Sequence, residues 1–122
     1  MLMIYGIKNC NTMKKAFDFL NDKGVAFEFF DYKKAVLDQA DFVKFMATFG
    51  EKVINRQGMT YRKLDDESKM VLNGGDVCAM YEVIKDAQSV LKRPIVMGEN
   101  VALIGFDECE WAKQLGLNLG LN

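Results

Sequence analysis

The chain has 122 residues, half of them hydrophobic and 27% charged, with 16 basic against 17 acidic side chains. This composition predicts one folded domain with its own core rather than a disordered chain. The net charge of −1 argues against nonspecific nucleic-acid binding, which requires many lysines and arginines facing phosphate. No apolar run approaches the roughly 20 residues of a membrane span, and we recognise no secretory signal at the N-terminus.

The histidine and cysteine content narrows the possible chemistry. The chain has no histidine, which excludes Ser-His and Cys-His nucleophilic pairs and His-containing zinc sites. Its three cysteines, Cys10, Cys78 and Cys109, are too scattered for a disulfide framework or a C-x-x-C zinc site. We therefore expect no bound metal, and a reducing cytoplasm is the simplest compartment for the protein.

The first predicted elements surround Cys10. Residues 2–5 form a short apolar run that predicts a buried strand, and a glycine ends it. A helix is predicted next, because apolar residues recur at i, i+3, i+4 and i+7: Met13, Ala16, Phe17 and Leu20. Cys10 thus falls at or just before a helix N-terminus, where unpaired backbone N–H groups carry partial positive charge. A thiol in that place ionises more easily, and the thiolate is the nucleophile.

The rest of the chain follows a simple order of elements. Gly24 ends the first helix, and residues 25–32 predict a second strand parallel to the first, because a helix separates the two. Capping residues and apolar periodicity then predict a helical middle, with Asp38 and Asp76 as caps. The last elements are a hairpin, a helix and a tail without clear pattern: 95–97 with 101–104, the helix after Asp107, and 116–122.

Three blocks of sequence, in order, resemble the arsenate reductase (ArsC)-like proteins, and more closely their YffB-type and Spx-type relatives. The blocks are Y-G-I-K-N-C-N-T-M-K-K-A at 5–16, G-M-T-Y-R-K-L at 58–64, and L-K-R-P-I-V at 91–96 with L-I-G-F at 103–106. The resemblance implies an α/β, thioredoxin-like fold, β-α-β then β-β-α, with a mixed four-stranded sheet. It implies a single domain with a core at about 1–37 and 91–116 and an inserted helical lobe at about 38–90.

The resemblance also implies a site around Cys10 as the nucleophile. Pro94 would be a cis proline facing the cysteine, and Arg93 would contact the thiolate or a bound oxyanion through its fork of donors. Asn11 and Thr12 are further candidates for oxyanion contact. Thr12 is either such a contact or an ordinary threonine in the first helical turn.

The sequence does not decide which residue supplies a second arginine to the site. Arsenate reductases carry an arginine at the position of residue 55, and YffB- and Spx-like relatives carry one at that of 57. Arg56 lies between the two, so either Arg56 serves by a local shift or Arg62 does. A third arginine of arsenate reductases is missing near Phe106, which argues against arsenate as the physiological substrate.

Met13 occupies the place of the second cysteine in a C-x-x-C motif. A disulfide within the motif is therefore impossible, and oxidised Cys10 must be resolved by glutathione, by another protein such as a glutaredoxin, or by Cys78 or Cys109. For the last two cysteines we expect buried packing at Cys78 and incidental exposure at Cys109.

These observations predict a thiol-dependent oxidoreductase that acts as a monomer and holds no bound cofactor. Cys10 would attack a small oxidised or oxyanion substrate, with glutathione as co-substrate. Two alternatives are true arsenate reduction and a Spx-like regulator that binds RNA polymerase without catalysis. Met13 counts against the C-x-x-C redox switch of Spx-type regulators, although it does not exclude binding.

Overall fold

A computed structural model of the chain describes residues 1–117. The helices and strands predicted within that range are present. The strands are β1 (Leu2–Gly6), β2 (Phe27–Asp31), β3 (Ile95–Met97) and β4 (Ala102–Ile104). The helices are α1 (Asn11–Asp22), α2 (Gln39–Phe49), α3 (Met59–Arg62), α4 (Asp66–Leu72), α5 (Val77–Ile84) and α6 (Glu108–Leu115), with 3₁₀ turns at Gly50–Val53 and Gln88–Val90. Residues 118–122, the end of the tail for which no pattern was found, lie outside the described residues.

The four strands form one mixed sheet in the order β2-β1-β3-β4. β1 is central and pairs in parallel with β2 and antiparallel with β3, so that Ile4 lies opposite Phe29 on one side and Val96 on the other. β3 and β4 form the predicted antiparallel hairpin. The order and directions of the strands confirm the predicted α/β, thioredoxin-like fold.

The chain divides into two compact units. Within the described residues, the sheet unit comprises Met1–Asp31 and residues 93–117, and the helical unit comprises Tyr32–Lys92. The segment before α2 belongs to the helical unit because the buried Gln88 binds its backbone. The Gln88 side chain accepts a hydrogen bond from the Leu37 N–H (2.7 Å) and donates to the carbonyls of Tyr32 (2.8 Å) and Ala35 (2.7 Å).

The core of the sheet unit lies between α1, α6 and the sheet. Its fully buried members include Ile4, Met13, Ala16, Leu20, Val96 and Trp111. The predicted buried face of α1 is confirmed except at Phe17, which is half-buried. That ring lies at the border of the face, where it stacks on Phe27 and meets Phe29 edge-on, while Phe19 takes the fully inward place.

The helical unit shows both correct and wrong predictions. Phe42 and Phe45 are buried on α2 as predicted, and the Asp76 side chain caps α5 by accepting from the Ala79 N–H at 3.2 Å. The predicted burial of Cys78 is wrong, because α5 turns Met80 and Ile84 inward and leaves Cys78 exposed. Among the helices of residues 1–117, none combines the length and apolar character needed to span a membrane.

Candidate active site

Cys10 occupies the N-cap position of α1, as its place in the sequence predicts. Its backbone is extended (φ −145°, ψ 130°), and its carbonyl accepts the first bond of the helix from the Lys14 N–H at 2.9 Å. The residue is only partly exposed. The thiol therefore sits where the unpaired N–H groups of the first turn gather.

Arg93 and Pro94 reach this place because of the way β3 pairs with β1. The two strands are antiparallel, so the start of β3 at Ile95 lies opposite Tyr5, near the end of β1 from which the chain leads to Cys10. The Arg93–Pro94 peptide bond is cis, which confirms the prediction. Pro94 is buried, and its carbonyl accepts from the Gly105 N–H at 2.8 Å, which holds the segment against the hairpin.

The surroundings lower the pKa of the Cys10 thiol. Burial is the largest single influence and raises this pKa, because it disfavours the charged form. It is outweighed by hydrogen bonding from the backbone N–H of Met13, then from the Arg93 side chain, then from the backbone N–H of Thr12, together with the positive charge of Arg93. Cys10 therefore forms its thiolate at a lower pH than an ordinary cysteine does.

The first-turn residues Asn11 and Thr12 both have exposed side chains. Thr12 contributes its backbone N–H to the sulfur. A role for either side chain in binding an oxyanion stays a prediction. Gly6, a buried glycine next to Met13 and Arg93, was not among the predicted site residues; its signal in the sequence was a glycine at the end of a buried strand.

Arg56 lies in the helical unit and binds groups of that unit. Its Nε donates to Asn73 Oδ1 at 2.7 Å, and its two terminal nitrogens donate to the carbonyls of Glu51 and Leu72 at 3.2 Å each. These bonds join the 3₁₀ turn after α2 to the C-terminal end of α4, where a cation is favourable. Its part in an oxyanion site stays a prediction.

The other cysteines lie on helices and are exposed free thiols. Cys109 is the second residue of α6, between Glu108 and Glu110, and its predicted exposure is confirmed. In the range 1–117, no three His, Cys, Asp or Glu residues gather closely enough to hold a metal ion.

Comparison with known proteins identifies the family. The model of the ArsC family matches residues 5–114. The chain belongs to the ArsC family. The match spans Cys10, Met13 and the Arg93–Pro94 pair, so the whole candidate site lies inside it.

Individual relatives support this assignment over nearly the full length. This ArsC-family chain is 35% identical over 112 residues to an uncharacterised protein of Haemophilus influenzae, a match that covers 91% of this chain and 96% of that protein. It is 35% identical to a solved YFFB protein, with a TM-score of 0.85 and coverage of 94% and 99%. An arsenate reductase (ArsC)-related protein from Brucella melitensis shares 35% identity, with a TM-score of 0.66 and coverage of 95% of each chain.

Proposed function

We propose that the protein is a thiol-dependent oxidoreductase whose single nucleophile is the thiolate of Cys10. The observation on which the proposal rests is the position of Cys10 at the N-cap of α1, where the backbone N–H groups of Met13 and Thr12 and the Arg93 side chain lower the pKa of its thiol. Membership of the ArsC family and similarity to an arsenate reductase-related protein of Brucella melitensis support the same chemistry.

The first chemical step uses these donors directly. The Cys10 thiolate attacks the central atom of an oxidised substrate, for example an oxyanion, and a bond from sulfur to that atom forms while one oxygen leaves, protonated, as water. The helix N-terminus and the Arg93 guanidinium favour an anion at this place. Arg93 is half-buried, so its charge is partly shielded from water and acts more strongly on a bound anion.

The second step requires a thiol from outside the motif. A glutathione thiolate attacks the Cys10 sulfur, a disulfide forms, and the bond to the substrate breaks with its electron pair going to the substrate, which is thereby reduced by two electrons. A second thiol, from glutathione or a glutaredoxin, then attacks the mixed disulfide and releases the Cys10 thiolate. The buried thioether of Met13 stands where the resolving cysteine of a C-x-x-C motif would lie.

Resolution by glutathione is tested by mass spectrometry after oxidation with diamide in the presence of glutathione. We expect one added glutathione, mapped to the peptide that contains Cys10. A loss of two daltons without an adduct, abolished by Cys109→Ala or Cys78→Ala, would show that an internal disulfide resolves the cysteine instead.

Turnover is tested with a panel of oxyanions and disulfides, arsenate among them, in an assay that couples NADPH oxidation through glutathione and glutaredoxin. The proposal expects turnover of at least one substrate by the wild type and none by Cys10→Ser. If no substrate is turned over and the protein instead captures RNA polymerase, the regulator hypothesis is favoured over the enzyme.

A further inference from the structure

Gly6 is the last residue of β1 and is buried. The five described glycines with positive φ are other residues, so the backbone at Gly6 does not itself require glycine. A glycine in a buried strand weakens the strand through its greater conformational freedom. In such a place the usual reason for glycine is the close approach of a neighbouring group.

The neighbouring groups at Gly6 belong to the candidate site. A Cβ atom added here would lie 2.4 Å from Met13 Sδ and 2.6 Å from Met13 Cε. It would also lie 3.4 Å from Arg93 Cβ. The first two distances are far shorter than van der Waals contact, so any larger residue must displace the Met13 side chain.

Met13 has little room for such a displacement. Its side chain is fully buried in the sheet-unit core, together with Ile4, Ala16 and Leu20. Close-packed interiors transmit an inserted methyl group to their neighbours rather than absorbing it. The neighbours of Met13 on this side are Gly6 and the start of α1, where the Met13 N–H lowers the pKa of the Cys10 thiol.

We propose that Gly6 is a positioning residue: its missing side chain lets Met13 lie where its backbone N–H faces the Cys10 sulfur. One residue, Met13, thus links two functions, because its side chain fills the space above Gly6 while its backbone N–H faces the sulfur. The inference rests on the proposed role of Cys10. It adds that the geometry around the sulfur depends on a steric pair, Gly6 with Met13, that lies outside the segment from Cys10 to Thr12.

The test is a double-mutant cycle on Gly6→Ala and Met13→Val, read out as the pH dependence of Cys10 alkylation in variants that also carry Cys78→Ala and Cys109→Ala. Valine lacks the sulfur and terminal methyl of methionine. We expect Gly6→Ala to move the inflection upward, toward that of an ordinary thiol. In the Met13→Val background the same change is expected to produce a clearly smaller shift.

Gly98→Ala is the matched control. A Cβ there would lie 2.5 Å from Leu2 Cδ2, a similar overlap with the end of a side chain, but at the opposite end of the same sheet. Its inflection is expected to equal that of the wild type. An equal shift in both Met13 backgrounds, no shift in folded Gly6→Ala, or a shift in Gly98→Ala as large as that in Gly6→Ala would overturn the inference.

The inference can still be tested if the Gly6→Ala variant fails to fold. If Gly6→Ala does not fold, the inference requires that the Gly6→Ala, Met13→Val double variant folds and that its Cys10 alkylation inflection approaches that of Met13→Val alone. If the double variant also fails to fold, the steric pairing is wrong. The result of the double-mutant cycle does not depend on whether the proposed function is correct. That proposal concerns the absolute position of the wild-type inflection and turnover, whereas the inference concerns only differences between variants.

Discussion

The N-cap residue of α1 carries a different kind of side chain from the N-cap residues of α4, α5 and α6. The latter three helices begin with aspartates, Asp65, Asp76 and Asp107, whose carboxylates accept from the N–H three residues on at 2.7, 3.2 and 3.1 Å. At α1 the same position holds Cys10, whose thiol makes no capping hydrogen bond, and the N–H three residues on, that of Met13, lowers the pKa of this thiol.

The difference shows two uses of the same helix end. A carboxylate is already ionised at neutral pH, so its capping bond stabilises the folded state. A thiol becomes a strong acceptor only after it loses its proton, so the corresponding N–H groups of α1 lower the pKa of Cys10 and favour its thiolate form. Arg93 is the second source of this effect at α1.

The strongest way to break the contrast is to place a carboxylate at α1. Cys10→Asp is expected to abolish turnover completely, because no nucleophilic sulfur remains, while α1 gains the cap of the other helices. Cys10→Ala also loses activity and is expected to be less stable than Cys10→Asp by about 1 kcal/mol. Unfolding is followed by the fluorescence of Trp111, the single tryptophan, which is buried in the same unit. Retained turnover in either variant would place the chemistry on another residue.

Substitution of Arg93 sharpens the contrast, because it removes a side-chain donor that the aspartate N-caps do not have. Arg93→Gln is expected to raise the alkylation inflection of Cys10 and to lower kcat/KM roughly 10- to 100-fold, the effect of losing a hydrogen bond between charged groups. Arg93→Lys keeps the charge but loses the planar fork, so it is expected to fall between Arg93→Gln and the wild type. Full activity in Arg93→Lys would show that only the charge of Arg93 matters.

Asp107 tests the other side of the comparison within the same unit. Asp107→Ala removes the cap of α6 and is expected to lower the free energy of unfolding by about 1 kcal/mol, with the Cys10 inflection unchanged. Asp107→Asn retains a capping side chain and serves as its control. If Asp107→Ala moves the Cys10 inflection, the two helix ends are coupled and the contrast fails.

The smallest expected effect is a pH dependence at Asp65. Hydrogen bonding, first from the Ser68 backbone N–H and then from the Ser68 side chain, lowers the pKa of Asp65 below its ordinary value. Its contribution to stability is therefore present above the ordinary carboxyl range near pH 4 and is lost as pH falls through the lowered pKa. Circular dichroism from pH 6 to 2 should show a slightly steeper loss in the wild type than in Asp65→Asn, whose cap does not titrate. Parallel curves would contradict this.

The sequence predicted the features that depend on local pattern. The helix start at Cys10 follows from the apolar period of α1, and the strand–helix order, with the family resemblance, led to the cis Arg93–Pro94 bond. The exposure of Cys78 was missed because α5 is apolar on most sides, so its period does not decide which face is inward. The contact between Gly6 and Met13 was missed because it depends on the distance between a strand and a helix, which no residue pattern specifies.

The discontinuity of the sheet unit has a consequence for synthesis on the ribosome. β1 leaves the ribosome well before its partner β3, which lies beyond the entire helical unit in the chain. Until β3 emerges, the backbone N–H and C=O groups along one edge of β1 can hydrogen-bond only to water. Such unpaired strand edges promote the misassociation of nascent chains. The helical unit is contiguous, so we expect it to fold during translation and Cys10 to gain its neighbour Arg93 only after the whole helical unit has been made.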